Sequence, residues 1–180
     1  MALSSTIYKV DLQVSNMDSH YYEEHKLTIA KHPSETEERM MVRILAFALY
    51  AQEELCFGKG VSNEEEPALW LKDRTGTIDL WIDVGQPEER RIRKACGRAK
   101  QVVVLSYGAH NAERWWVQNQ DKLSNIHNLT IMQLKSPISK ELATIADRNM
   151  NLICNIEEGQ IYFISGDTTL TIEPVILLSQ

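Results

Sequence analysis

The stretch EEPALWLKDRTGTIDLWIDVGQ, residues 65–86, contains two apolar segments separated by a polar turn. Every second residue of 78–84 is aliphatic, which predicts a strand with one buried face. The opposite face carries Asp79, Trp81 and Asp83. Asp79 and Asp83 lie about 13 Å apart along a strand that rises roughly 3.3 Å per residue, so they cannot chelate one ion together. Asp83 therefore needs an acidic partner from elsewhere in the chain.

The preceding segment supplies such a partner if the two segments form a hairpin. With the turn centred between Arg74 and Thr75, Glu66 lies opposite Asp83, with Cβ atoms about 4.5–5.5 Å apart. Two carboxylates at this distance repel each other unless a cation or a proton lies between them. Mg²⁺ favours one or two carboxylates together with water and phosphate, and Mn²⁺ is expected to substitute for it. The pairing thus predicts a metal site, whereas a turn longer by one residue would leave acids that only solvate an exposed sheet face.

Strands and helices alternate on both sides of this hairpin. The middle of the chain has helical periodicity around 35–55, 87–100, 111–122 and 137–148, and apolar strand-like runs around 101–107 and 129–134. Both ends of the chain are rich in strand-like alternation. We therefore expect a single α/β domain, 1–180. Its core, about 33–148, is a mixed sheet flanked by helices, and a small β-rich subdomain comprises about 5–31 and 150–178.

Composition describes an ordinary globular chain with a formal net charge of −6 and 43% hydrophobic residues. The start of the chain has no signal-peptide pattern, and no segment is apolar for long enough to span a bilayer. Three widely spaced cysteines without a Cys-x-x-Cys motif fit reduced thiols. We expect a cytoplasmic protein without a membrane partner. Glycine-rich nucleotide cradles are also absent from the sequence, which argues against nucleotide cofactors.

The segment 87–100 predicts a strongly basic helix directly after Asp83. Its basic residues are Arg90, Arg91, Arg93, Lys94, Arg98 and Lys100. Arg90, Lys94 and Arg98 form a ridge at spacings of four residues on one side of the helix. Cations beside a metal site would suit a phosphodiester and the charge that develops during its cleavage. The alternative is a solvated helix face with no ligand.

Several motifs together resemble the YaeQ family of bacterial proteins over essentially the whole chain. They are HPSET at 32–36, ERMM at 38–41, EP at 66–67, IDLWIDVGQP at 78–87, ERRIRKA at 89–95 and WW at 115–116. The resemblance implies the PD-(D/E)xK, restriction-endonuclease-like fold. That superfamily has an acid at the opening of one core strand, an acid-x-lysine on the next, and often a glutamate on a preceding helix. Glu66, Asp83 and Glu38 match these positions in this chain.

The chain departs from the superfamily pattern at the lysine, because Gly85 stands two residues after Asp83. Gln86 or Lys94 would have to replace it. With such a replacement, the resemblance implies Mg²⁺-dependent hydrolysis of nucleic acid, in which Glu66 and Asp83 hold the metal. The remaining expected roles are support of the metal by Glu38, orientation of the attacking water by Gln86 or Lys94, and substrate contacts by Asp79, Trp81, Arg90, Arg98 and Tyr107. The alternative is a non-catalytic module that keeps the nuclease fold and binds nucleic acid or protein, which Gly85 and the net charge favour.

Overall fold

The computed structural model describes residues 4–61 and 63–179, and within them the chain forms four helices and eleven strands in two sheets. None of these helices has both the length and the apolar character needed to cross a membrane. In chain order the elements are β1 (Thr6–Asn16), β2 (Tyr21–Lys31), α1 (Glu37–Leu49), β3 (Cys56–Phe57), β4 (Leu69–Lys72), β5 (Ile78–Val84), α2 (Glu89–Arg98), β6 (Ala99–Ser106), α3 (His110–Leu123), β7 (Leu129–Gln133), α4 (Ile138–Thr144), β8 (Asn149–Glu157), β9 (Gln160–Ser165), β10 (Thr168–Ile172) and β11 (Val175–Leu178).

The two ends of the chain meet in a five-stranded sheet with the order β10-β9-β8-β1-β2. Strand β1 runs antiparallel to β2 and parallel to β8. Alternate residues of β1, among them Val10, Leu12 and Val14, are buried while their neighbours face solvent. The expectation that the terminal strands pair with each other is therefore confirmed for β1, β2 and β8 to β10.

The middle of the chain forms a six-stranded mixed sheet with the order β11-β7-β6-β5-β4-β3. Strands β5, β6 and β7 are parallel and are joined through α2 and α3, whereas β3, β4 and β11 pair antiparallel to their neighbours. The mixed sheet flanked by helices is thus confirmed. Strand β11 was expected among the terminal strands at 150–178 but belongs to this sheet, because it pairs with β7 and its residues Leu177 and Leu178 pack on the core there.

Helix α1 lies in an apolar layer that contains residues of both sheets. All residues from Met40 to Ala48 on this helix are buried, and all of them except Arg43 belong to one apolar cluster with Leu80, Ile82 and Val84 of β5. A second apolar cluster lies on the other face of the six-stranded sheet, where it contains Trp81 together with residues of α2 and α3. The odd-numbered face of β5 therefore looks toward α2.

The β4–β5 hairpin has a different register from the one expected. Trp70 pairs with Trp81, two residues further along than Asp79. The turn at 73–77, in which the Asp73 carboxylate accepts hydrogen bonds from the backbone N–H groups of Thr75 and Thr77 at 2.8 and 2.9 Å, accounts for one residue of this shift, because Lys72 pairs with Ile78. A β-bulge between Leu71 and Lys72 adds the second. Strand β4 begins only at Leu69, so the predicted alignment of Glu66 opposite Asp83 is wrong.

Candidate functional site

Asp83 is a buried carboxylate near the end of β5, with 4% of its surface exposed. The indole Nε1 of Trp81 donates to its Oδ2 at 3.0 Å. Arg91 on α2 donates from Nε to Oδ2 at 2.9 Å and from Nη2 to Oδ1 at 3.0 Å. This two-point guanidinium–carboxylate pair is the strongest common form of ion pair in proteins. The charge of Asp83 is therefore balanced within the chain.

Arg91 also fastens the segment that precedes β4. Its Nη1 donates to the carbonyl oxygen of Glu64 at 2.6 Å, and its Nη2 donates to that of Glu66 at 2.9 Å. Partial burial disfavours the charged guanidinium, but the hydrogen bonds and charge of Asp83 outweigh it, so the pKa of Arg91 is raised. One cation thus joins β5, α2 and residues 64–66.

The Glu66 carboxylate is engaged on the other side of the same loop. Its Oε2 accepts the backbone N–H of Lys59 at 2.9 Å, and Lys59 Nζ lies 3.8 Å from Oε1. The loop closes tightly at this point, because a Cβ on Gly58 would lie 2.0 Å from the carbonyl oxygen of Pro67. Glycine at position 58 therefore permits the approach that gives Glu66 its backbone partner.

A cavity of about 220 Å³ opens between these elements. Residues that line it include Arg39, Glu66, Asp83, Gln86 and Arg91. The structure thus brings together three of the residues predicted to be catalytic, and adds two arginines to them. It does not bring Glu38 or Lys94 into this lining.

The acids of this cavity do not fit a resident Mg²⁺ ion in the observed arrangement. Both oxygens of Asp83 accept hydrogen bonds from Arg91, and Glu66 is bonded to Lys59. In residues 4–61 and 63–179, no three His, Cys, Asp or Glu side chains converge in a way that could hold a metal ion. A divalent ion would first have to displace a guanidinium from Asp83.

Glu38 and Gln86 point to other partners. Oε1 of Glu38 accepts the hydroxyl of Ser139 on α4 at 2.7 Å. Gln86 Nε2 donates to the carbonyl oxygen of Tyr107, at the end of β6. Gly85, which replaces the superfamily lysine, adopts a φ of +93° that side-chain-bearing residues rarely adopt. A lysine could not replace it there without backbone strain.

The predicted substrate residues are spread over a wider surface. Asp79 forms an ion pair with Lys100 at 2.6 Å, and Arg98 lies over the ring of Trp81, which is itself only 2% exposed. Arg90 is exposed on α2. Tyr107 is half-buried against the apolar layer of α1, and burial raises its pKa. Trp81 therefore orients Asp83 and is not available for stacking on a ligand.

Arg91 is the functional residue that the sequence analysis counted as basic but did not assign. It is four residues before Ala95, and α2 buries Ile92 and Ala95 against the sheet. The sequence signal that could have identified it is an arginine beside such a buried stripe, eight residues after an aspartate on a buried strand. It predicts an inward-facing guanidinium rather than a solvated one.

Comparison with known proteins places this arrangement in a family. The family model for YaeQ protein matches residues 1–174. The chain belongs to the YaeQ family. The YaeQ proteins of Salmonella typhi and Escherichia coli K12 are 42% and 41% identical to it, and each alignment covers 96% of this chain and 95–96% of the relative.

Two solved YaeQ structures have the same fold. The YaeQ protein from Xanthomonas axonopodis pv. citri has a TM-score of 0.95 and 42% identity, with 98% of this chain and 100% of that chain covered. The one from Pseudomonas syringae has a TM-score of 0.93 and 34% identity, with 98% and 97% covered. The two-sheet YaeQ architecture described above is therefore shared across the family members compared.

Proposed function

We propose that this chain is a nucleic-acid-binding module that keeps a restriction-endonuclease-like scaffold and does not hydrolyse its ligand. The observation that carries the proposal is the ion pair between Arg91 and Asp83. Two acids at the mouth of a cleft require a compensating positive charge. Here a guanidinium supplies that charge from within the chain, at the carboxylate expected to hold a metal.

The order of elements supports the scaffold assignment. Helix α1 precedes β4 and β5; Glu66 lies just ahead of β4, and Asp83 lies near the end of β5. This order matches the helical, first and second acidic positions of the PD-(D/E)xK pattern. Gly85 removes the cation that the pattern requires two residues after the second acid. This order supports a nuclease-like scaffold with an incomplete catalytic set.

Helix α2 supports phosphodiesters as the ligand class. Its Arg91 lines the cavity that contains Asp83, its Lys94 and Arg98 contact Glu65 next to the cavity residues Glu64 and Glu66, and guanidinium and ammonium groups are the usual donors to phosphate oxygens. Because the whole chain carries a net charge of −6, attraction comes from this local surface. Binding is therefore expected to be weakened strongly by salt.

Mg²⁺-dependent hydrolysis of nucleic acid is the second candidate, with one observation in its favour. Glu66, Asp83 and Gln86 line the same cavity, which hydrolysis would require of two metal ligands and a group that orients water. For this function Arg91 would have to leave Asp83, and Glu38 would have to leave Ser139. Both contacts oppose it in the observed arrangement.

Binding and cleavage assays separate the two functions. We expect fluorescein-labelled single-stranded or duplex DNA or RNA to bind in EDTA, with affinity that falls as salt rises, and to remain intact after incubation with Mg²⁺ or Mn²⁺. Cleavage by the wild-type chain that Asp83→Asn abolishes would contradict the proposal in favour of the second candidate. Failure of every nucleic acid to bind would remove both.

A further inference from the structure

A short acidic segment of the chain covers the basic helix α2. Residues 64–66 are all glutamate, and we name them the acidic strap. Lys94 Nζ donates to both carboxylate oxygens of Glu65, at 2.7 and 2.9 Å. Arg98 Nη1 donates to the carbonyl oxygen of Glu65 at 3.2 Å and lies 3.9 Å from its Oε2. Arg91 binds the carbonyl oxygens on either side, those of Glu64 and Glu66.

The three cations share one side of the helix. Arg91, Lys94 and Arg98 have the spacing i, i+3, i+7, which aligns side chains in one row, and we name them the basic ridge. The row differs from the predicted one by having Arg91 in place of Arg90. It extends for about 10 Å at a rise of roughly 1.5 Å per residue, which is long enough for two or three phosphates of one strand.

The acidic strap offers the basic ridge the groups that a nucleic-acid backbone would offer. Its contacts are a row of carbonyl oxygens from successive residues and one carboxylate, all accepting from guanidinium or ammonium groups. Phosphate oxygens accept from the same donors with the same preference for charged, forked geometry. Because a single short turn of the peptide chain occupies the ridge, the matching ligand is one strand rather than a duplex.

The strap is held in a way that permits displacement of its Glu64–Glu65 part. The side chains of Lys94 and Glu65 are 56% and 67% exposed, and ion pairs so exposed contribute little individually. The Glu66 end is fastened more firmly, through Lys59 and the close approach of Gly58 to Pro67. Because the strap belongs to the same chain as the ridge, it competes at a high effective concentration with any external anion.

We propose that the basic ridge is the binding site for a single nucleic-acid strand and that the acidic strap occupies it in the free protein as an internal competitor. This inference rests on the proposed function. It adds that the ligand is single-stranded and that the strap regulates its binding. Displacement of the strap frees Lys94 and Arg98 from their contacts with Glu65. It also removes the carbonyl oxygen of Glu64 from Arg91, beside the cavity that contains Asp83.

The test compares two variants that change the net charge equally. Glu64→Gln/Glu65→Gln removes the two charges of the displaceable part of the strap and keeps Glu66, whereas Glu53→Gln/Glu54→Gln removes two exposed charges between α1 and β3 that take no part in the ion pairs of Lys94 and Arg98. Fluorescence anisotropy with labelled oligothymidylate and oligouridylate measures affinity at low and high salt. We expect the strap variant to bind about tenfold more tightly than the control at low salt, with a smaller difference at high salt. The two oligonucleotides distinguish DNA from RNA.

A further variant tests whether the tighter binding depends on the basic ridge. Adding Lys94→Gln and Arg98→Gln to the strap variant should abolish the tighter binding, with circular dichroism verifying that each variant is folded. Equal affinities of the strap and control variants, with measurable binding by both, would overturn the proposal that the strap is an internal competitor, while leaving the proposed function intact. A gain that survives loss of the ridge would also overturn it. Absence of binding by every variant would overturn both proposals, and preference for poly-glutamate would make the ridge an acidic-peptide site instead.

Discussion

Breaking the pair between Asp83 and Arg91 should destabilise the fold strongly. Removing one partner of a buried ion pair costs about 3–5 kcal/mol, because the other charge is left uncompensated. The side chain of Arg91 is 28% exposed, so water screens part of its field. We therefore expect Arg91→Met to lower the free energy of unfolding by about 3 kcal/mol, at the lower end of that range. Met retains much of the apolar stem, so the loss reports mainly on the guanidinium.

A double-mutant cycle isolates the interaction from these other losses. Urea unfolding of wild type, Asp83→Asn, Arg91→Met and the double variant should give a coupling free energy of about 2 kcal/mol with an unchanged denaturant slope. The same cycle on Glu65→Gln and Lys94→Met is the control; because both of these side chains are exposed, its coupling should be indistinguishable from zero. Equal coupling in the two cycles would refute the reasoning that Arg91 compensates a buried charge.

Three further predictions concern the loop, the first helix and the terminal sheet. Gly58→Ala should destabilise the chain by about 1–3 kcal/mol in urea unfolding, because the added Cβ would lie 2.0 Å from Pro67 O. Gly97→Ala in α2, where a Cβ would contact nothing within 4 Å, should instead stabilise it by about 0.5–1 kcal/mol; a loss there would refute the packing argument. Thr36→Ala removes the hydroxyl that caps α1 and should cost about 1 kcal/mol, whereas Thr36→Ser should cost much less; equal losses would mean that the cap hydrogen bond contributes nothing. Burial lowers the pKa of His25, so the folded chain favours the neutral imidazole. The resulting contribution to the free energy of unfolding is fully present above the ordinary histidine pKa of about 6.5. It is lost as pH falls through the lowered pKa of the folded chain. The melting temperature should therefore drop less in His25→Gln than in wild type between pH 7.5 and pH 5; an equal drop would contradict the assignment.

Apolar periodicity made the elements predictable, including the strand at 78–84 and the buried run that became β6. Pairing of the two chain ends also followed from their alternation. The position of β11 did not, because a short apolar strand fits the edge of either sheet, and only tertiary packing of Leu177 and Leu178 selects β7 as its neighbour.

The candidate site was predictable as residues but not as contacts. Asp83 stood out because an acid on a buried strand needs a partner. That partner is Arg91 on α2. Which basic residue of α2 reaches Asp83 depends on the orientation of the helix against the sheet, and sequence spacing does not determine that orientation. The predicted pairing of Glu66 with Asp83 was wrong because the turn organised by Asp73 and a β-bulge between Leu71 and Lys72 each shift the register by one residue.

Isothermal titration of Mn²⁺ into the wild-type chain and into Asp83→Asn tests most directly whether a guanidinium rather than a metal ion balances Asp83. We expect neither protein to give a saturable binding isotherm for Mn²⁺, because Arg91 donates to both oxygens of the Asp83 carboxylate. Saturable Mn²⁺ binding by the wild type that Asp83→Asn abolishes would contradict this assignment.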